Sequence, residues 1–326
     1  MRLLAADRDA RKELCLQTLE SLTEVTAIQV AGFALMDNHM HLLLRVDVKQ
    51  AERWSDQEVV ERWLELHPVR NGYFEPVETP EGYAEEFAND TEVVEATREK
   101  LLSISQFMKE LKQRIAQVAN RDEGTTGAFW AGRFKIKAIR DEAQLLATLA
   151  YIDLNPFAAN ACVNPEDGKY TSLEGRLGRD HPQGMRQRLR EHRPEGQHRS
   201  RVAIRIARSA RSTRQSLIAR QPTGLWLIPL EGSKRPGRRT TARSHGQGAT
   251  TRRDHLAETL LPGLSLKNYL QLIDITSRLL RTGKKRLSRQ SIPILERLAL
   301  TPNGLAERIV ELIDVWSLRK AYHFTT

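Results

Sequence analysis

The chain has 326 residues and a formal net charge of +10. This length suits one large domain or two of ordinary size, and the longest apolar runs fall far short of the roughly 20 residues that span a bilayer. Charged side chains interrupt the start of the chain, where a targeting signal would be apolar. We therefore expect a soluble, cytoplasmic protein with no membrane partner. The two cysteines exclude a disulfide framework and a multi-thiolate zinc site.

The positive charge is concentrated in the second half of the chain. Residues 1–180 contain 22 basic and 31 acidic side chains, a net charge of −9, whereas residues 181–326 contain 29 and 10, a net charge of +19. A surplus of this size indicates a polyanionic partner such as nucleic acid. The charge gives no indication of what the first half does.

Hydrophobic spacing predicts a helix followed by a β-hairpin near the start of the chain. Residues 9–22 place leucines at spacings close to a helical period. The alternating segment 25–35 predicts a strand, a polar break follows at Asp37 and Asn38, and the apolar run 39–46 predicts the partner strand. A helix followed by a hairpin is typical of an α+β fold.

An acidic insertion follows the hairpin. Residues 51–99 contain 14 acidic side chains against four basic ones, and they are predicted to be helical around 56–66. An apolar stripe then predicts a long helix over 104–120. The composition of 129–139 predicts a further strand, and 141–155 predicts a helix that the following proline ends.

Three regions follow from these patterns. Residues 1–175 would form an α+β domain that carries any catalytic site. Residues 176–262 would form a basic, partly disordered linker region, because the stretch 233–253 has almost no apolar residue and cannot offset its ordering entropy. Apolar stripes in 263–326 predict a small helical C-terminal domain, so the second half would be basic and mainly helical.

His39 and His41 are two residues apart on a predicted strand, so both imidazoles should lie on the same face. Two rings about 6.6 Å apart along a strand can converge on one divalent metal. The same spacing is also typical of two hydrogen-bonded or surface histidines. Spacing alone leaves both interpretations open.

Tyr151 and Asn155 form a second pair, at positions i and i+4 of a predicted helix, where they share a face. A phenol and a carboxamide would then point the same way at the end of that helix. The alternative is that Tyr151 is a half-buried packing residue and that Asn155 caps the helix before Pro156.

Three motifs resemble those of a known family. FALMDNHMHLLLRV (33–46) resembles the His-hydrophobic-His strand of the single-tyrosine HUH transposases. AFWAGRFK (128–135) resembles their Phe-Trp-x-Gly-Arg-Phe-Lys strand, and YIDLNPFA (151–158) resembles their Tyr-Ile-x-x-Asn-Pro-x-x-Ala helix end. The motifs occur in the family's order within residues 9–175. The Tyr-x-x-x-Asn spacing is similar to the branch called REP-associated tyrosine transposases.

The resemblance implies a fold, an activity and a site. The fold would be a ferredoxin-like or RRM-like antiparallel sheet with helices on its faces. His39 and His41 would bind Mg²⁺ or Mn²⁺, with Asn155 as a third ligand. Tyr151 would attack single-stranded DNA and form a 5′-phosphotyrosine intermediate, which permits nicking, strand transfer and DNA transposition.

The partner implied is single-stranded DNA that forms hairpins, bound by a monomer or a homodimer. Interleaved basic residues are candidate phosphate contacts, namely Lys109, Lys112, Arg133, Lys135 and Lys137. The family's usual first strand, a Tyr-His-Val-Thr-like run, has no counterpart before the helix at 9–22. Either the start of the sequence is misassigned or the protein is a truncated remnant. In the second case the sheet would lose a strand beside the histidine pair, and the enzyme could be inactive.

Two other functions stay open. One is a DNA- or RNA-binding protein on a catalytically decayed or domesticated nuclease scaffold, which would use the +19 half of the chain. The other is a histidine-triad nucleotide hydrolase, but Leu43 stands where the third alternating histidine of that motif would be.

Overall fold

The structure is a computed structural model, and it describes residues 8–71, 77–180, 226–230, 259–261, 263–279 and 284–298. The Arg-dense segment 181–220, the segment 233–253 that was predicted to be disordered, and the helix predicted beyond residue 300 lie outside the described residues. Within the described ranges, no helix is long and apolar enough to cross a membrane.

The described part of the chain is α+β and mostly helical, with a two-stranded antiparallel sheet. In chain order its elements are α1 (Arg8–Val25), β1 (Ile28–Leu35), β2 (Met40–Val46), α2 (Val48–Glu52), α3 (Asp56–Leu66), α4 (Tyr83–Asn89), α5 (Thr91–Leu102), α6 (Ile104–Glu123), α7 (Glu142–Asp153), α8 (Asn155–Ala158), a 3₁₀ turn (Pro165–Asp167), α9 (Ser172–Asp180), α10 (Leu266–Arg278) and α11 (Ile294–Arg297).

The hairpin lies at the centre of these elements. Strands β1 and β2 pair antiparallel, from Ile28 opposite Val46 to Leu35 opposite Met40. The register shifts at Ala31, a β-bulge that leaves this residue without a partner on β2. Every residue of β1 is buried, because helices cover both faces of the hairpin.

The first layer consists of α1–α6 and covers one face of the hairpin. Met40, Leu42 and Leu44 of β2 pack towards it, as strand alternation requires. Phe107 and Leu111 of α6 are fully buried in the same core. The acidic insertion therefore forms helices that belong to this layer.

The second layer consists of α7–α11 and covers the other face. Leu149 of α7 and Leu43 of β2 share its core with Leu270 and Ile273 of α10. Residues predicted to form a separate C-terminal domain thus pack beside the helix that carries Tyr151. The domain boundary at residue 263 stays a prediction.

The hairpin is confirmed, and so are the helices predicted over 9–22, 56–66, 104–120 and 141–155, but the strand predicted over 129–139 is wrong. This segment has no regular secondary structure, and none of the described residues pairs with it in a ladder. Phe129, Trp130 and Phe134 pack on the first layer, whereas Ile136 is 66% exposed. An alternating pattern favours an extended backbone, but a strand also requires a neighbouring backbone to pair with.

Candidate active site

The turn between β1 and β2 is held against α1 by ion pairs. Arg8 and Lys12 each donate to the carboxylate of Asp37, with N···O distances of 2.7 Å. The Lys12 hydrogen bond is the main cause that lowers the pKa of Asp37, and the charges of both cations add to it. These contacts fix the turn that leads directly into His39.

His39 and His41 come together, as the alternation of the strand predicts. Their Nε2 atoms are 3.0 Å apart, and the rings meet edge to face. Nδ1 of His39 lies 2.6 Å from Oδ1 of Asn38. Because an amide oxygen can only accept a hydrogen bond, Nδ1 carries the proton and Nε2 of His39 keeps its lone pair.

Both histidines are favoured in the neutral form. Burial lowers the pKa of His41 to about 4, and the neighbouring His39 contributes in the same direction. Burial also lowers the pKa of His39. Neutral imidazole is the form that binds a metal ion, so the pair is ready to act as ligands at neutral pH.

Tyr151 lies beside this pair. Its ring is edge-on to that of His41, with ring centroids 5.6 Å apart and an interplanar angle of 77°. The side chain of Tyr151 is 41% exposed, so the phenol is accessible to a large substrate. The fold thus brings together residues that the sequence places on a hairpin and on a distant helix.

A close approach of α7 to the sheet positions Tyr151. A Cβ atom at Gly32 would lie 2.6 Å from Cδ1 of Leu149 and 3.3 Å from Oγ of Ser172. Only glycine lets α7 pack this closely on β1 without a shift of one of the two elements. Asp141 caps the start of α7 through a hydrogen bond to the Gln144 N–H, as the sequence predicts.

Asn155 lies one residue beyond the C-cap of α7, where α8 begins. Its Nδ2 donates to the backbone oxygen of Tyr151 over 3.1 Å. This contact corresponds to the capping role that the sequence left open. It occupies the amide nitrogen, and the Oδ1 atom is the part of Asn155 that could bind a cation.

The donor set fits a hard divalent ion. Two ligands at adjacent octahedral positions, each about 2.1 Å from the ion, are about 3.0 Å apart, which is the distance between the Nε2 atoms of His39 and His41. No group of three or more His, Cys, Asp or Glu side chains that could hold a metal occurs in the described part of the chain. A role for Oδ1 of Asn155 as the third ligand stays a prediction.

The predicted phosphate contacts on α6 belong to the first layer, on the opposite face of the hairpin from Tyr151. Lys109 is exposed. Lys112 donates to the backbone oxygen of Gly132 over 2.5 Å, and its ammonium lies 5.3 Å from the ring centroid of Trp130. Burial lowers the pKa of Lys112. Lys112 thus anchors the segment 129–139 to α6. A role of Lys112 in DNA binding stays a prediction.

The other three predicted phosphate contacts lie on the segment 129–139. Arg133 and Lys135 are exposed, and Lys137 is half-buried. The structure therefore leaves two of these three cations open to solvent. A role for them in DNA binding stays a prediction.

Sequence reasoning missed a buried polar cluster two residues beyond Tyr151. Asp153 is fully buried and accepts hydrogen bonds from Ser172 Oγ (2.6 Å), from the Leu173 N–H (2.9 Å) and from Tyr269 Oη (2.5 Å). The guanidinium of Arg176 lies 3.9 Å from the same carboxylate. The signal in the sequence was an acidic residue within the apolar run 145–157. We call Asp153, Ser172, Arg176 and Tyr269 the Asp153 cluster.

The Asp153 cluster is also bound to the sheet. Ser172 Oγ accepts from the Phe33 N–H over 3.1 Å, and Arg176 donates to the backbone oxygen of Ala31 at the bulge. Burial raises the pKa of Asp153, while Arg176 and the hydrogen-bond donors oppose that shift. Burial and the charge of Asp153 raise the pKa of Tyr269, so its hydroxyl stays protonated and donates.

Known proteins offer no direct guide to the function. No family model, no curated protein and no solved structure matches this chain. The function must therefore be inferred from the positions of His39, His41 and Tyr151 and from the motifs that contain them.

Proposed function

We propose that this chain is a metal-dependent enzyme that nicks single-stranded DNA and transfers the cut strand, as the single-tyrosine HUH transposases do. The observation that supports this most is the convergence of His39, His41 and Tyr151. The tyrosine ring lies against His41, and the two imidazole Nε2 atoms are 3.0 Å apart.

The enzyme would be built on the ferredoxin-like core of that family. A buried hairpin with a helix layer on each face is consistent with it. The segment 128–135, with the sequence AFWAGRFK, would occupy the position of a further strand. In the described residues this segment has no ladder partner and no regular secondary structure, so its place in the sheet rests on the motif alone.

Tyr151 would act as the nucleophile. Its phenolic oxygen attacks the phosphorus atom, the bond from phosphorus to the 3′ oxygen breaks, and a 5′-phosphotyrosine ester forms. The phenol gives its proton to solvent, and the departing 3′ oxygen takes up a proton to become a free hydroxyl. Because the ester conserves the energy of the broken bond, a second 3′ hydroxyl can reverse the step and join a new strand without ATP.

His39, His41 and Asn155 would hold Mg²⁺ or Mn²⁺. When bound, such an ion supplies Lewis-acid polarisation of the scissile phosphate. The hydrogen bond from His39 to Asn38 would orient the first ligand, which is the usual task of a second contact on a ligating imidazole. The exposed cations Arg133 and Lys135 would contact phosphates, and the basic second half of the chain would add affinity.

The test is a covalent-adduct assay with hairpin-bearing single-stranded DNA and Mg²⁺ or Mn²⁺. A 5′-phosphotyrosine retains the downstream strand, so a label at the 3′ end of the DNA should migrate with the protein in SDS gels, whereas a label at the 5′ end should not. Tyr151→Phe should abolish the adduct. Tyr83→Phe is the matched control, because Tyr83 on α4 is 42% exposed and remote from the hairpin site.

Three results would overturn the proposal. An adduct that survives in Tyr151→Phe would exclude this tyrosine as the nucleophile. An adduct that retains the 5′ label would mean the opposite polarity of cleavage. DNA binding without any adduct, unchanged when His39 and His41 are both replaced by alanine, would favour the non-catalytic binding protein.

A further inference from the structure

We propose that Tyr269 and Asp153 are positioning residues, which set the placement of Tyr151 relative to the histidine pair. The inference rests on the proposed function for its catalytic consequence, but its structural core can be tested without any activity. Tyr269 lies on α10, in the part of the chain that the sequence assigns to a separate domain.

The helical geometry links Asp153 to Tyr151. The two residues are two positions apart near the end of α7, so their side chains point roughly 200° apart around the helix axis. Asp153 is fully buried, and Tyr151 is directed to the open side. A fixed carboxylate at position 153 therefore fixes the rotation of the helix end, and with it the direction of the phenol.

Two helices, α9 and α10, hold that carboxylate. Ser172 and the Leu173 N–H bind one oxygen from the start of α9, and Tyr269 binds the other from α10. The cluster pairs a carboxylate with a cation, because the guanidinium of Arg176 lies 3.9 Å from Asp153. Hydrogen bonds to a buried charge are stronger and more directional than neutral ones, so they can fix an angle as well as add stability.

A short path leads from Asp153 to His41. Ser172 donates to Asp153 and accepts from the backbone N–H of Phe33. The next residue of β1, Ala34, lies opposite His41 in the sheet. Ser172 therefore links α7 to β1, and the pairing of β1 with β2 extends that link to His41.

Replacing Tyr269 with phenylalanine tests the orientation of α7 without disturbing the packing of the core. Its ring is fully buried in the core of the second layer, and phenylalanine would keep that ring in place. Without the hydroxyl, one oxygen of Asp153 loses its 2.5 Å donor while the donors on the other oxygen remain. The carboxylate would then be pulled towards Ser172 and Leu173, and the end of α7 would turn with it.

The first experiment measures the placement of the Tyr151 ring relative to His41 and needs no activity. The ring of Tyr151 lies edge-on to that of His41, so its ring current contributes to the chemical shifts of the imidazole C–H groups. In ¹³C–¹H spectra of histidine-labelled full-length protein with EDTA, Tyr151→Leu defines the size of that contribution. Tyr269→Phe should move the His41 signal by a measurable part of it, and Tyr83→Phe should leave it in place.

The second experiment measures the rate of adduct formation and the affinity for DNA. At saturating hairpin DNA and Mn²⁺, Tyr269→Phe should lower the single-turnover rate of adduct formation about tenfold, because small displacements of a nucleophile are costly. The dissociation constant for DNA should stay within about twofold of that of Tyr83→Phe. Asp153→Asn, which keeps the shape of the side chain and removes its charge, should show the same split.

The outcomes separate the two proposals. If the His41 signal does not move in Tyr269→Phe or in Asp153→Asn while both variants stay folded, the positioning role is wrong whether or not the protein cuts DNA. If the signal moves but no protein forms an adduct, the positioning role holds and the proposed nuclease function fails. An equal loss of rate and of DNA affinity would indicate a merely structural role for the cluster and overturn the inference.

Discussion

The layers on the two faces of the hairpin differ in what their buried polar side chains contact. In the first layer, Arg62 of α3 donates to the backbone oxygen of Glu24 on α1, and Arg11 pairs with Glu123 on α6, so these contacts join helix to helix. In the second layer, Ser172 and Arg176 reach the backbone of β1 itself. Apart from the ion pairs of Arg8 and Lys12 with Asp37 at the turn, the first layer contacts the hairpin mainly by apolar packing, whereas buried side chains of the second layer also bind the backbone of β1.

The largest difference should follow from Asp153→Ala. Loss of this buried carboxylate removes the counter-charge of Arg176 and the acceptor of Tyr269, at a cost of about 3–5 kcal/mol in unfolding free energy. Glu123→Ala removes an ion pair of the first layer whose carboxylate is 22% exposed, and it should cost less than half as much. Urea unfolding measures both. Equal losses of unfolding free energy in the two variants would show that the layers do not differ in this way.

Gly32→Ala should come next. The new methyl group would clash with Cδ1 of the buried Leu149, so this side chain or α7 must move, and we expect a loss of about 1–3 kcal/mol in unfolding free energy together with a slower adduct reaction. Gly132→Ala is the control, because a Cβ atom there meets nothing within 4 Å. Thermal melts and the adduct assay give the two readouts. A Gly32→Ala protein with wild-type stability would mean that the second layer can move freely on the sheet.

The histidine pair should make the metal-free protein sensitive to pH. The pKa of His41 is lowered to about 4 in the folded chain, whereas the unfolded chain has the ordinary value near 6.5. Between these two values the unfolded state binds the additional proton, so stability should rise with pH over this window and level off above it. Urea unfolding in EDTA at several pH values tests this, and His41→Gln should flatten the rise.

The smallest effects should come from the lysines of α6. Lys112→Gln loses a hydrogen bond to Gly132 and a contact with Trp130, so we expect a stability loss of about 1 kcal/mol. Lys109→Gln changes an exposed side chain and should leave stability unchanged. If Lys109 contacts a phosphate, its substitution should reduce the salt slope of DNA binding by about one. A change in stability for Lys109→Gln but none for Lys112→Gln would reverse these assignments.

Local pattern was sufficient for much of the fold. Segment 56–66 has its helix at the predicted bounds, and the hairpin breaks at Asp37 and Asn38 as its polar residues indicate. The convergence of His39 and His41 follows from strand alternation alone. These features depend on residues that are close in sequence, which is why one sequence is enough to predict them.

Features that depend on distant partners were not predictable. Tyr269 and Asp153 are separated by 116 positions, and nothing in either local pattern indicates that they meet. In the same way, nothing in the local pattern of α10 indicates that it packs beside α7. The error over 129–139 has the same origin, because pairing depends on a neighbour that the segment itself does not specify.

The contact between Tyr269 and Asp153 also has a consequence for biosynthesis. A ribosome makes the hairpin, α7 and Tyr151 well before it reaches α10, since the two partners are 116 residues apart. At about 5–20 residues per second, the interval lasts about 6–23 s. During this time the nascent chain has Tyr151 and both histidines but lacks the contact between Tyr269 and Asp153. The proposed alignment of the site would therefore be established only after α10 has been made.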